Sequence, residues 1–470
     1  MSVNAVISRF RVKNLHGLRT IDVPIVDNKL IVVGENGTSK STLANLLFYV
    51  LTKQWARLRR YRFSDIEIHI NDHGFQITPE LLEADREQVQ RISGVHRHYP
   101  QFLRDLISQA ENEDDLERLI DDPFVFRSVV EHGFSMGVVR DLVRSAILEF
   151  RNTPSQLQLI SRQISELFTS QVLYLPTYRR IEQDLESIFP GAEFSNEIKK
   201  VRERIARRGR TKYTELVAFG MEDVERAIRE RLGQIKDSVR RELSNLTGTY
   251  LRDVLRGVHN KVDLQNLSAL DNDTLNSIFA RMDETTLPLA DQKRLREKVA
   301  DMAQRTTIQA DDKVIAHFLS KLLILYRDQQ ANEMDVRKFV NVCNGYLTGK
   351  KLVYDDVKYE LAVVLTEEHG SGDLFPVSVE PLGLKWLSSG EKQIISLFSH
   401  IYLTRETFFV IIDEPELSLS VPWQRKFLPD ILNTGQCVGL IAVTHSPFVF
   451  DNDLEPYIRS IMQFTQVKHV

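Results

Sequence analysis

At 470 residues, with 42% apolar and 27% charged side chains, the chain has material for two or three globular units with a substantial core. Its formal net charge of −4 excludes a global attraction to nucleic acid, so any such affinity must come from a local patch. Two well-separated cysteines, Cys343 and Cys437, make neither a disulfide framework nor a metal site and fit a reducing cytoplasm; the charged N-terminus is no secretory signal, and no apolar run suits a membrane span.

Residues 5–33 alternate apolar and polar positions through VISRFRVKNL, TIDVPIV and KLIVV, the period of short strands. GENGTSKST, 34–42, comes next, and STLANLLFYVLTKQW has helical spacing without breakers, which predicts a strand–loop–helix unit. Such a loop turns backbone N–H groups toward phosphate oxygens, assisted by the helix N-terminus. Gly34, Asn36, Gly37, Thr38, Ser39, Lys40, Ser41 and Thr42 are therefore the candidate nucleotide-binding residues. Lys40 would neutralise the β- and γ-phosphates and Ser41 would hold Mg2+. Ser39 stands where this pattern has its second glycine. If the position needs positive φ, a serine there costs about 1–2 kcal/mol; if φ is negative, the cost is almost nil.

Residues 77–170 read as a polar helical insertion, with an acidic stretch ENEDDLERLIDD at 111–122, and VLYLP, 172–176, as a short buried strand. From about 196 to 340 the sequence is helical again. Val224, Ile228, Leu232, Ile235, Val239, Leu243 and Leu246 recur at steps of three and four, one face of a helix. That face is ordinarily a packing face; the sharper reading is a helical-hairpin arm, and about 40 residues would reach only roughly 60 Å. KKVRERIARRGRTK, 199–212, holds eight basic residues against Glu203. It reads either as a solvated helix or as a patch for DNA phosphates or an acidic protein surface. No aromatic interleaving supports base-specific recognition.

Strand-like sequence resumes at KLVYDDVKYELAVVL, 351–365. LSSGEKQ, 387–393, puts Ser388 and Gly390 at a helix start, a second anion-binding terminus. FFVIIDEPE, 408–416, ends an apolar strand in Asp413 and Glu414. Asp413 would stand beside the metal held by Ser41, and Glu414 where it can polarise a water against the γ-phosphate. CVGLIAVT, 437–444, is a further strand, and THSP places His445 just after it, where an imidazole can bond a phosphate oxygen. Lys40, Glu414 and His445 are the candidate catalytic residues, and Ser41 and Asp413 the candidate metal ligands.

In this order the glycine loop, LSSGEKQ, DEPE and THSP resemble the ABC-type ATPase heads of the SMC, RecF and OLD-like group. FVNVCNGYLTGKK, VSVEPLGLKWLSSGEKQ, ELSLSVPWQ and YLPTYRRIE are similar to segments of small OLD-like ATPases, although Ser420 stands where those proteins usually carry histidine. The resemblance covers roughly residues 1–60, 170–185 and 335–470. It implies an α/β fold: an ABC-type head formed by 1–76, 171–190 and 339–470, with helical insertions at 77–170 and 191–338. It implies ATP hydrolysis with ATP and Mg2+ as cofactors. It also implies a homo-oligomer, at least a dimer, in which the signature segment of one subunit closes over ATP held by another. A transporter head would place its signature far nearer the loop lysine than 387 − 40 = 347 residues. Two functions stay open. One is an anti-phage ATPase whose oligomer senses a phage protein or DNA trigger and holds or releases a separate effector, a nuclease. The other is a RecF/SMC-type repair ATPase with nucleotide-gated DNA binding. Only 470 − 445 = 25 residues follow His445, too few for the nuclease domain of OLD-type enzymes, so the effector is expected in trans.

Overall fold

The computed structural model describes residues 5–95, 133–152, 154–176, 213–215, 221–261, 272–281, 287–303, 312–369, 373–376, 382–404, 406–417 and 419–467, with a few isolated positions between. Most of the acidic stretch 111–122 and all of the basic segment 199–212 lie outside these residues. Two compact units emerge, one from residues 1–218 with 405–470, the other from 219–404.

Strands β1 (Ile7–Leu15), β2 (Arg19–Pro24) and β3 (Lys29–Val33) lead to helix α1 (Lys40–Leu51), then to β4 (Asp65–Ile70) and β5 (His73–Ile77). Helices α2 (Pro79–Val95), α3 (Met136–Asn152) and α4 (Gln156–Leu167) precede β6 (Gln171–Leu175) and the short β7 (Tyr213–Glu215). The second unit holds α5 (Met221–Leu255), α6 (Asn272–Ala280), α7 (Leu289–Ala303) and α8 (Lys313–Asn344). It continues with β8 (Lys350–Asp355), β9 (Glu360–His369), β10 (Asp373–Pro376) and α9 (Ser389–Leu403). Returning to the first unit, β11 (Phe408–Asp413), α10 (Val421–Leu432), β12 (Cys437–Thr444), β13 (Ile458–Ser460) and β14 (Thr465–Val467) follow.

The first unit is α/β, with one parallel and one antiparallel sheet. Its six-stranded sheet runs β13-β3-β12-β11-β6-β7 with every pair parallel. The five-stranded sheet runs β14-β2-β1-β4-β5 and is antiparallel. Both sheets and α1 share one core, in which Phe10, Val12, Ile68, Leu46, Phe48, Phe409 and Ile441 are buried. Every residue of α1 from Leu43 to Leu51 is buried, so this helix is enclosed rather than amphipathic. Within it the buried Asn45 accepts a hydrogen bond from the Tyr174 hydroxyl of β6. The head is built from both ends of the chain, as expected from the motif order. The strand at 213–215 falls inside the expected helical arm; three residues, YTE, are too few to show a period and are set by pairing with Val172–Tyr174.

In the second unit α5 and α8 lie antiparallel. Arg231 donates to the Asn332 carbonyl at 2.7 Å near one end, and Tyr250 reaches the Val314 carbonyl while His317 faces Asp253 at 3.2 Å near the other. Val224, Ile228, Leu232, Ile235 and Val239 are buried, so the apolar stripe is a packing face. Toward the far end Leu251 and Leu255 are exposed, at 58% and 79%. An ionic cluster with a buried Arg281–Glu333 pair at its centre joins three elements: Arg281 holds Glu333 of α8 and Asp356 of the β8–β9 turn, and the more exposed Arg337 holds the same two carboxylates. Helix α9 and strand β8 pack on α8, so the expected C-terminal lobe, 339–470, divides between the two units at residue 405.

Candidate functional site

Three loops leave the carboxyl edge of adjacent parallel strands. The register sets Val33 of β3 opposite Thr444 of β12, and Val443 opposite Asp413 of β11. The glycine loop, DEPE and THSP therefore emerge side by side, the place where open α/β sheets bind ligands.

The loop has the backbone of a phosphate cradle. Gly37 and Ser39 both adopt left-handed conformations, with φ of 77° and 71°. Gly34 needs to be glycine for another reason: a Cβ there would lie 2.8 Å from Ile461 Cγ2 and 3.3 Å from Thr38 Oγ1. Thr38 Oγ1 donates to the Glu35 carbonyl at 2.6 Å, closing the turn, while Asn36 and Gly37 are exposed. Ser39 sits at the N-cap position of α1. The left-handed φ settles its alternative: serine here carries the strain of about 1–2 kcal/mol that glycine would avoid.

Lys40 is buried at 5% exposure, and its ammonium donates to the carbonyls of Gly34 and Glu35, each at 2.8 Å. Burial lowers its proton affinity, while Glu414, Asp413 and Glu416 oppose the shift, and the net direction is downward. The Lys40 ammonium is thus within electrostatic reach of three carboxylates. Ser41 Oγ donates to Asp413 Oδ1 at 2.8 Å, and Thr42 lies beside it, half-buried. A serine hydroxyl and an aspartate carboxylate are the oxygen donors that Mg2+ prefers, so Ser41 and Asp413 would suit that ion. The left-handed loop amides suit phosphate.

Glu414 is also left-handed, with φ of 55°, and its N–H donates to the Val443 carbonyl at 2.7 Å. A non-glycine residue held there carries local backbone strain. His445 is exposed just beyond Thr444.

Glu416 was not among the residues expected from sequence. Its carboxylate accepts from the Thr444 hydroxyl and from the His445 N–H, each at 2.7 Å. Gln424 of α10 extends the tie, donating to the Leu419 carbonyl and accepting from Ser446 Oγ at 2.7 Å. Glu416 therefore fixes where the His445 loop begins relative to the acidic strand. Glu416→Ala leaves the hydroxyl of the buried Thr444 without its acceptor, a loss of about 1–3 kcal/mol, and frees the exposed His445 N–H to water. Steady-state ATPase assays should show turnover reduced about tenfold or more, with ATP affinity nearly unchanged, a drop equivalent to about 1.4 kcal/mol in barrier. Unchanged turnover would remove Glu416 from this role.

Ser388 and Gly390 belong to the second unit, at the start of α9. Ser388 and Glu391 form a reciprocal capping box: the Ser388 side chain accepts from the Glu391 N–H and the Glu391 carboxylate from the Ser388 N–H at 2.7 Å. Lys350 of β8 binds the same carboxylate at 2.9 Å. Burial alone would raise the Glu391 pKa; Lys350 and the Ser388 N–H and hydroxyl outweigh it and hold it below the usual carboxylate range. A depressed pKa stabilises the fold above the ordinary glutamate value, about 4.3, and that stabilisation fades as pH falls through the folded-state value. Lys350→Ala should thus lower the melting temperature at pH 7, by a loss of about 1–2 kcal/mol, with the gap from wild type narrowing below about pH 4. An equal gap at both pH values would contradict this coupling.

Strand order, the left-handed loop and the Ser41–Asp413 pair place a candidate nucleotide site at the carboxyl edge of the parallel sheet. Over residues 252–451 the sequence matches a family described as "AAA domain, putative AbiEii toxin, Type IV TA system". That span takes in LSSGEKQ, DEPE and THSP. Among solved structures the chain is similar to the Smc head domain with an extended coiled coil bound to the C-terminal domain of ScpA from Pyrococcus furiosus. The identity is 10%, 95% of this chain and 91% of that chain are covered, and the TM-score is 0.31. It is similar too to the Smc head domain with a coiled coil and joint from Pyrococcus yayanosii, at 12% identity, 95% and 93% coverage and a TM-score of 0.27. No curated protein matches. Among the described residues no helix is long and apolar enough to cross a membrane.

Proposed function

We propose that this chain hydrolyses ATP and that its ATP-dependent homo-oligomer senses a phage-derived trigger and holds or releases a separate effector, a nuclease, in anti-phage defence. The observation that carries the ATPase part is the 2.8 Å bond between Ser41 and Asp413 beside a buried Lys40. Mg2+ supplies charge neutralisation for the β- and γ-phosphates when bound. Lys40 trades its two loop carbonyls for phosphate oxygens, and the loop amides of 37–41 orient the triphosphate. Glu414 orients the attacking water and takes its proton; His445 bonds the transferring phosphoryl oxygen. Ser388 and Gly390 act from a second subunit, at the N-terminus of a capped helix. The defence role rests on the sequence motifs, which resemble the ATPase AriA of the PARIS system and, second, PtuA of Septu.

The test is mass photometry of the protein with its operon neighbour, with and without ATP. The expected result is an ATP-dependent assembly containing both proteins, with the purified ATPase alone cutting neither DNA nor RNA. The second reading, a RecF-type repair ATPase, draws on the basic segment 199–212. It predicts hydrolysis stimulated by DNA and abolished as a stimulation when Arg207, Arg208 and Arg210 are reversed to glutamate.

A further inference from the structure

Arg19 opens β2, fifteen residues before the glycine loop in sequence, yet its side chain ends on that loop. Its Nη1 donates to the Gly37 carbonyl at 2.7 Å and to the Ser39 hydroxyl at 3.1 Å. These are the two left-handed residues of the loop, on either side of Thr38. Ser39 occupies a helix N-cap position, where a serine hydroxyl ordinarily accepts from the helix backbone. It makes no such bond. The hydroxyl is given to Arg19 instead, and the residue that departs from the expected pattern is the residue that the guanidinium holds.

A glycine at 39 would enter the left-handed region unaided. A serine does so only if its surroundings impose it. Arg19 is well suited to impose it. Both bonds leave one nitrogen, Nη1, whose two N–H groups lie in the guanidinium plane and hold their acceptors at a fixed angle, with the stem anchored in a sheet. The strand that carries it is paired on both sides, to β1 and to β14.

We propose that Arg19 is a positioning residue for the nucleotide loop: by holding the Ser39 hydroxyl and the Gly37 carbonyl together, it keeps residues 37–39 in the geometry that a second glycine would supply. The proposal rests on the nucleotide-site reading of GENGTSKST. It makes Arg19 and Ser39 a coupled pair, each making sense of the other.

A double-mutant cycle tests it, using full-length wild type, Arg19→Ala, Ser39→Gly and the double variant. Affinity for a fluorescent ATP analogue with Mg2+ is the first readout; hydrogen–deuterium exchange of the loop amides without nucleotide is the second. Arg19→Ala should weaken binding about tenfold, and the same change in the Ser39→Gly background less than about threefold. Loop exchange should quicken in Arg19→Ala and return toward wild type in the double variant. Ser39→Gly alone should stay within about tenfold of wild type. Arg19→Lys keeps the charge but replaces the planar, fixed donors with a freely rotating ammonium; it runs the same cycle should Arg19→Ala not fold. Equal losses in both backgrounds, or none in either, would overturn the proposal. If wild type fails to bind the analogue while the exchange pattern holds, the nucleotide reading falls and the loop hold stands. Tight binding with a flat cycle removes the hold alone.

Discussion

Glu414→Gln is expected to bind Mg-ATP as wild type does and to turn it over about 10²–10⁴ times more slowly, the usual contribution of a positioned general base. The amide is isosteric with the carboxylate, so the left-handed turn and the N–H bond to Val443 persist. Ser41 and Asp413 keep their 2.8 Å pairing and with it the metal-holding oxygens. What is lost is the acceptor for the proton of the attacking water. The measurement is a single-turnover assay beside equilibrium binding of labelled ATP. Hydrolysis at the wild-type rate would assign the base to another residue.

Lys40→Ala should reduce ATP affinity by about two orders of magnitude or more, since a charge-assisted bond at a buried site is worth roughly 1.5–3 kcal/mol and more than one is lost. The ammonium is the cation that reaches the inside of the loop, bonding both Gly34 and Glu35 carbonyls. Removing it leaves Asp413, Glu414 and Glu416 facing incoming phosphate with less opposing charge. ATP should then no longer raise the melting temperature, because a ligand that does not bind the native state cannot stabilise it. A persistent thermal shift at millimolar Mg-ATP would show that the loop amides suffice.

The parts of this site that could be read from sequence are those whose chemistry is local. GENGTSKST lies between an apolar strand and a helix and dictates a loop. DEPE and THSP each follow a buried strand. What escaped depends on contacts between distant segments. The conformation of Ser39 hinges on Arg19, twenty residues earlier, and sequence left both signs of φ open. Glu416 resembled a turn carboxylate until β12 brought Thr444 and His445 to it. Strands β4 and β5 carry alternating sequence, DIEIHI and HGFQI, but complete a sheet whose other members come from residues 7–24 and 465–467. The helical text of 221–246 was legible as one-sided, and burial of Val224 through Val239 marks it as a packing face.

The position of β3 has a consequence for how the protein is made. This strand, which delivers the glycine loop, pairs on one side with residues 440–444 and on the other with 458–460. Neither neighbour exists until about 400 further residues have been translated, which at 5–20 residues per second takes roughly 20–80 seconds. During that interval KLIVV has no partner in its own sheet, although β1, β2, β4 and β5 can already pair with one another, and pairings of such sequence separation form slowly even when both halves are present. The nascent chain therefore carries uncovered strand edges that chaperones must shield. Nucleotide binding comes last in biogenesis, so a stalled ribosome releases a fragment with the loop sequence and no assembled cradle.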